Sequence, residues 1–205
     1  MGLYQRYLLP HVINLAMRNR DLLPYRKRLL AAAQGRVLEI GIGSGLNLSF
    51  YPAQVGEIVG LDPAARLIAM ARRAAAERAR IPATFIEGSA EAIPLDACSF
   101  DTVVTTWTLC SIPEAIVALR EMRRVLKPDG QLLFVEHGQA PEESVRRWQD
   151  RLTPAWKRIG GGCHLNRPIQ LLIESAGFNM MRLQTGYMKG PKPMSFMYEG
   201  RASPG

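Results

Sequence analysis

The chain contains no apolar run approaching the ~18 residues of a membrane-spanning helix, which excludes a bundle of such helices. Cysteine is scarce, three in 205 residues. Cys98, Cys110 and Cys163 form no C-x-x-C pair, and an odd count does not suggest a disulfide framework. A reducing compartment is the simpler reading, and a cytoplasmic location is expected. Histidine is as rare, also three. No H-x-x-x-H and no acids clustered with histidines are present, so no metal is expected. Residues Leu3 to Met17 are apolar-rich but broken by Gln5, Arg6, Pro10, His11 and Asn14, and they lack a basic n-region and a clear cleavage site, which argues against a secretory signal. There is no Lys/Arg-rich tail and no appended RNA-binding module. The formal charge is nonetheless +8, from 26 basic and 18 acidic residues. Many of the arginines fall in pairs on helical stretches (Arg72-Arg73, Arg123-Arg124, Arg146-Arg147), the pattern of solvated helix faces, so nucleic acid is not the expected partner. What remains is enough chain for one α/β domain with a sizeable core.

The organising stretch is Arg36 to Asp62. R-V-L-E-I reads as a strand buried on both faces. G-I-G-S-G follows, then L-N-L-S-F-Y as a short helix, then the strand E-I-V-G-L-D. Gly41, Gly43 and Gly45 permit positive φ and let a ligand approach the main chain, and the helix after them would aim its free N–H groups at that ligand. Asp62, about 20 residues past the first glycine, ends the second strand, where a doubly wound sheet puts a carboxylate within reach of a ribose. A dinucleotide fold wants G-x-G-x-x-G. The spacing here is G-x-G-x-G, with Glu39 two residues before the first glycine. The alternative is a glycine turn that only reverses the chain.

Ahead of this stretch, residues 1–34 read as a helical cover. Tyr4, Tyr7, Leu8, Val12 and Leu15 lie at helical spacing, with Pro10 as a candidate kink. Leu22, Leu23, Leu29 and Leu30 form a second helix with Asp21 as its candidate cap. Such helices would lie over a cleft, pack on the sheet, or touch a membrane surface weakly and peripherally. Residues 35–205 read as the domain itself. A helix over Ala64–Arg80 buries Leu67, Ile68, Met70 and Ala71. Strands follow at 83–86 and 100–104, then a helix from Pro113 ending at Lys127-Pro128-Asp129-Gly130, and a strand at 131–136 with Glu136 and His137 at its carboxyl end, facing the cleft. A basic helix over 145–157 leads to the G-G-G-C-H-L-N-R run, with Asn166 as candidate cap of a helix over 168–175. Segments 179–185 and 194–199 would close the sheet as an antiparallel pair.

The pattern E-x-G-x-G-x-G resembles motif I of the class I S-adenosylmethionine (SAM) methyltransferases, and R-V-L-K-P-D-G-Q-L-L-F-V-E-H is a second match to that family. The resemblance implies a single Rossmann-like, doubly wound, seven-stranded α/β sheet, mostly parallel with an antiparallel closing strand. It implies SAM as donor and S-adenosylhomocysteine (SAH) as product. It assigns the cofactor to Glu39, Gly41, Gly43, Ser44, Gly45 and Asn47, to Asp62 and Pro63, to Ser89 and Ala90, and to Thr106 and Trp107. Ser89 stands where many members carry the acid that takes the adenine amino group, and whether Ser89 or Glu91 is the polar partner stays open. The loop Thr105–Ile112 lacks N-P-P-Y, D-P-P-Y and Pro-Cys, which argues against methylation of amide or base amino groups and of cytosine carbon. The L-C-S loop, the V-E-H strand end and W-K-R-I-G-G-G-C-H-L-N-R are similar to the thiol S-methyltransferase branch, which methylates small alkyl thiols and sulfide. No counterpart of that branch's hydrophobic N-terminal anchor is expected here. A small-molecule acceptor is expected, a thiol or sulfide first, contacted by Cys110, His137, Cys163 and His164. A thiol needs only a modest push to ionise, so His137, then His164, are the candidate bases. A quinone- or lipid-type O- or C-methyltransferase, an RNA methyltransferase and a SAM-binding protein without turnover share the first motifs. Nothing in the sequence speaks to oligomeric state.

Overall fold

A computed structural model describes residues 8–78 and 80–205. Tyr4 and Tyr7 of the expected first helix lie outside them. Seven strands form one sheet: β1 (Gly35–Ile40), β2 (Val55–Asp62), β3 (Ala83–Glu87), β4 (Phe100–Thr106), β5 (Leu126–His137), β6 (Phe178–Tyr187) and β7 (Phe196–Pro204). Their order is β3-β2-β1-β4-β5-β7-β6. The pairings from β3 to β5 are parallel, and β7 runs antiparallel to both β5 and β6. The chain winds outward from β1 through β2 to β3, then returns to lay β4 on the other side of β1. That reversal opens a crevice above the carboxyl ends of β1 and β4.

Alternation along the central strands feeds two cores, as burial on both faces requires. Leu38, Ile40, Val59, Leu61, Leu132 and Phe134 point to one face, under α4 (Ala115–Val125) and α6 (Ile169–Ser175). Val37, Ile58, Val104, Leu133 and Val135 point to the other, with Leu29 and Leu30 of α2 (Leu23–Leu30) and Ile68 and Ala71 of α3 (Ala65–Arg78). Helix α5 (Glu143–Ile159) runs beyond the end of β5 and packs with the short α7 (Lys192–Ser195).

Several local expectations are corrected. Between β1 and β2 there is only a 3-10 turn, Leu48–Phe50, in place of the helix. The Tyr51-Pro52 step leaves that segment in extended backbone at once. Helix α1 (Leu9–Ala16) takes Pro10 in its first turn, where a missing N–H costs nothing, so Pro10 begins the helix instead of splitting it. Asn19, not Asp21, caps the turn before α2, its Oδ1 accepting from the Asp21 N–H at 3.0 Å. The Lys127–Gly130 turn is drawn into β5 as an irregularity, since Phe100 pairs Leu126 while Thr102 already pairs Gln131. Asn166 does not cap α6; its amide donates to Asp150 Oδ1 at 2.7 Å, and Pro168 occupies the cap position. Met194 sits in α7, before the closing strand begins.

Candidate active site

A cleft of about 1520 Å³ lies over the carboxyl ends of β1, β2 and β4. Its floor is the glycine turn. Gly41, Gly43 and Gly45 all have positive φ, at 67°, 56° and 78°. They do different work. A β-carbon on Gly41 would fall 2.2 Å from Thr108 Oγ1, so that glycine lets the turn pass under the β4 loop. A β-carbon on Gly43 would meet only the Gly41 carbonyl, at 3.8 Å, so its main chain faces open cleft. Gly45 packs against Leu48 and Ala71 and is not among the cleft-lining residues.

Asp62 ties this turn to the end of β2. Its Oδ2 accepts from the Gly43 N–H at 3.1 Å and its Oδ1 from the Ala64 N–H at 2.8 Å. Burial pushes its pKa up against those two bonds. Each carboxylate oxygen keeps a lone pair for a further donor. Glu39 lies deeper. Asn47 donates to its Oε1 and Tyr51 to its Oε2, each at 2.7 Å. Burial raises its pKa to about 7, opposed by those bonds and by Arg26. Asn47 is therefore not a surface for the donor. It bridges Glu39, Thr106 (3.1 Å) and the buried Arg26, whose guanidinium donates to Asn47 Oδ1 and to the Met17 carbonyl (3.2 Å). Arg26 also lies 4.9 Å from the Trp107 ring, which Tyr25 meets edge-on. Trp107 lines the cleft at a φ of 51°, a strained setting for a bulky residue, where backbone is over-determined by its surroundings.

Ser44 and Pro63 line the cleft, as do Ser89 and Ala90 beyond the end of β3. Glu91 is turned away: it accepts from the Glu114 N–H at 2.8 Å and from Ser89 Oγ at 3.1 Å. Helix α1 and the triple-glycine turn cover the cleft together. A β-carbon on Gly161 would lie 3.2 Å from Leu9 Cδ2. Ser44 Oγ donates to Asn14 Oδ1 at 2.6 Å, tying the cover to the glycine turn. Loss of that hydrogen bond by Asn14→Ala is expected to weaken SAH binding by about 0.5–1.5 kcal/mol, measured by calorimetry, with the melting temperature little changed.

The far end of the cleft holds three groups from three distant segments. His137 Nε2 lies 3.0 Å from Cys163 Sγ, and Cys110, His137 and Cys163 bring their Sγ and imidazole nitrogens within 4.8 Å of one another. All three line the cleft. Trp156 Nε1–H donates to Cys163 Sγ at 3.3 Å. The neighbouring Cys163 sulfur pulls the Cys110 pKa well down, against burial and with help from His137, while the Cys110 sulfur and burial push Cys163 up. Burial opposes charge on His137, but the Cys110 sulfur outweighs it, and the imidazole stands raised. Arg167 braces the loop from below, donating to the carbonyls of Leu109 and Pro113.

Two further residues expected to face the cleft fall elsewhere. His164 does not line the cleft; its main chain donates to the Cys110 carbonyl at 2.8 Å and its ring Nδ1 lies 3.0 Å from the same oxygen, so it buttresses the Cys110 loop. Glu136 does not face the cleft. It is fully buried, with Oε1 accepting from Thr105 Oγ1 (2.9 Å) and the Thr108 N–H (3.0 Å), and Oε2 without a partner. Burial, then the Cys110 charge, raises its pKa to about 8. Both Glu39 and Glu136 thus hold protons in the folded chain that the unfolded chain releases near pH 4.5. Stability is expected to fall as pH rises from about 4.5 to 8. Melting temperatures across that range, flattened in Glu136→Gln, check the sign.

Arg26, Tyr51, Asn14 and Trp156 escaped the sequence reading. Only Trp156 carried a signal, its place in the W-K-R-I run. The others contact groups distant in sequence, and no spacing rule reaches them.

The Methyltransferase domain family matches residues 38–134, the glycine turn through β5. Over 176 residues the chain is 34% identical to the thiol S-methyltransferase TMT1B of Homo sapiens, covering 83% of this chain and 70% of that one. This chain belongs to the class I SAM-dependent methyltransferases. It is also 38% identical over 151 residues to TMT1B of Rattus norvegicus, covering 72% of this chain; it spans 62% of that relative's length. The crystal structure of the YcgJ protein from Bacillus subtilis shares the fold, with a TM-score of 0.67 at 24% identity, over 81% of this chain and 72% of that one. The donor of this family is SAM and its product SAH. The residues present fit that donor: an uncovered main chain at Gly43 and a carboxylate with free lone pairs at Asp62.

Proposed function

We propose that the methyltransferase acts on a small thiol or on sulfide. The observation that carries this is the Cys110–His137–Cys163 group at the end of the cleft away from Ser89. SAM supplies an electrophilic methyl group on a sulfonium. The Gly41–Gly45 turn would hold its amino-acid end, Asp62 its ribose, and Ser89, Ala90 and Trp107 would border its adenine. The chain's own part is to bring a soft nucleophile to that carbon as an anion, in line and without competing water. His137 Nε2 is the group placed to take a thiol's proton, and a thiol, with a reference pKa near ~8.5, loses it readily beside a positive charge. Cover helix α1 and the 160–162 turn supply the exclusion of water.

An assay with labelled SAM and a panel of alkanethiols, sulfide, phenols, quinols and amines tests this. Methylated thiol forming together with SAH is the expected result. Methylation of a phenol or quinol with thiols inert would replace the reading with the O-/C-acceptor one. Exposed Leu15 of α1, with Leu8 just before the helix, supports weak peripheral contact of a cytoplasmic enzyme with a membrane surface, where apolar thiols partition. Among the described residues no helix is long and apolar enough to cross a membrane. Flotation with liposomes, lost in Leu15→Glu, checks that contact.

A further inference from the structure

We infer that Cys110, His137 and Cys163 form a binding site for one soft divalent metal ion, zinc by its chemistry, with an open fourth position that takes the sulfur of the acceptor. Two thiolates and an imidazole are a donor set that zinc favours, and three protein ligands with one open place is the form of a catalytic site. Tetrahedral bonds of about 2.3 Å to sulfur and 2.0–2.1 Å to nitrogen set donors roughly 3.5–3.8 Å apart. The three ligand atoms here already lie within 4.8 Å of one another, so side-chain adjustment alone closes the shell. The side chains come from separate supports: the loop after β4, the carboxyl end of β5, and the turn after Gly160–Gly162. Their convergence is a property of the fold and not of one flexible loop. All three reach the cleft, which leaves the fourth position on its side.

The surroundings suit ligands. The Trp156 indole N–H already donates to Cys163 Sγ, the kind of outer hydrogen bond that fixes a thiolate ligand. His164 and Arg167 hold the Cys110 loop by its carbonyls, which fixes the second sulfur. Exposed Cys98 lies outside the group and serves as a control.

The second half of this inference rests on the thiol reading. The thiols of Cys110 and Cys163 would give up their protons when the ion binds; an acceptor RSH would then coordinate through a sulfur lone pair and release its S–H proton to the medium before the cleft closes, with nothing oxidised or reduced. In the loaded protein His137 Nε2 is a ligand, so the ion replaces the imidazole as the group that makes the thiolate. The coordinated sulfur keeps a lone pair directed into the cleft.

The test uses the full chain, purified with a reductant and without chelator. Elemental analysis should find one zinc per chain. Replacement by cobalt(II) should give the intense near-ultraviolet sulfur-to-cobalt band of thiolate ligation. Cys98→Ser should keep both, and Cys110→Ala or Cys163→Ala should lose both with the fold checked by circular dichroism. Trp156→Phe, which leaves every ligand in place, should weaken the ion by about 10- to 100-fold. Addition of a small alkanethiol should shift the cobalt band, and addition of an alcohol should not. If reduced wild-type protein, its thiols shown free by titration, takes up no more zinc or cobalt than Cys163→Ala, the ion site is overturned. Methylation of a thiol by that metal-free protein would then leave the thiol reading intact. If the ion binds and thiols do not move the band, acceptor ligation is overturned. That wild-type spectrum needs no variant to fold.

Discussion

His137→Gln is expected to lower turnover of a thiol by about 10²–10⁴-fold at saturating SAM, with SAH affinity nearly unchanged. Glutamine keeps a polar side chain near the size of the imidazole, but its amide takes up no proton at neutral pH and brings no positive charge to a thiolate. His137 ends β5 beside Cys163 and away from the glycine turn and Asp62, so donor binding should not feel the change. Single-turnover rates with pre-bound SAM, set beside calorimetric SAH affinities, separate the two quantities. Wild-type rates would dismiss His137 as base and as ligand alike. A large loss of SAH affinity instead would mean that the cleft is occupied the other way round.

Asp62→Ala is expected to weaken SAH by about 1–3 kcal/mol, the scale of hydrogen bonds to a charged group. The carboxylate has two duties, and the variant removes both. It fixes the Gly43 N–H and the start of the segment before α3, and it offers its remaining lone pairs to the ribose. Asp62→Asn separates them. Its amide oxygen can replace one main-chain contact, but it carries no charge, so an intermediate loss is expected. Isothermal calorimetry with SAH, on protein whose melting temperature is matched, measures this. Unchanged affinity in Asp62→Ala would remove the ribose role, and a loss in melting temperature without a loss in affinity would make the residue purely a support of the turn.

The sequence by itself determined the sheet, the glycine turn and the acid that ends β2. Strand period, the 41-43-45 glycines and the acid at 62 are local signals, and each follows from backbone chemistry: positive φ needs glycine, and a strand covered on both faces needs an unbroken apolar run. The antiparallel closure by β7 followed from the family resemblance. Short-range errors came where two local rules competed. Pro10 can break a helix or begin one, and the position in the turn decides. The segment 46–51 has the apolar content of a helix, but Pro52 arrives before a second turn can form.

Only the tertiary structure decided the Cys110–His137–Cys163 end of the cleft. Glu136 and His137 are adjacent in a strand, so they point to opposite sides; one sinks into a buried pocket with Thr105 and the other reaches Cys163. His164 follows Cys163 directly yet turns onto the Cys110 carbonyl. Arg26, from the cover, passes under Trp107 to the Asn47–Glu39 network. Contacts between segments so far apart depend on how loops descend onto the sheet, and loop paths are set by packing that no short window of sequence contains.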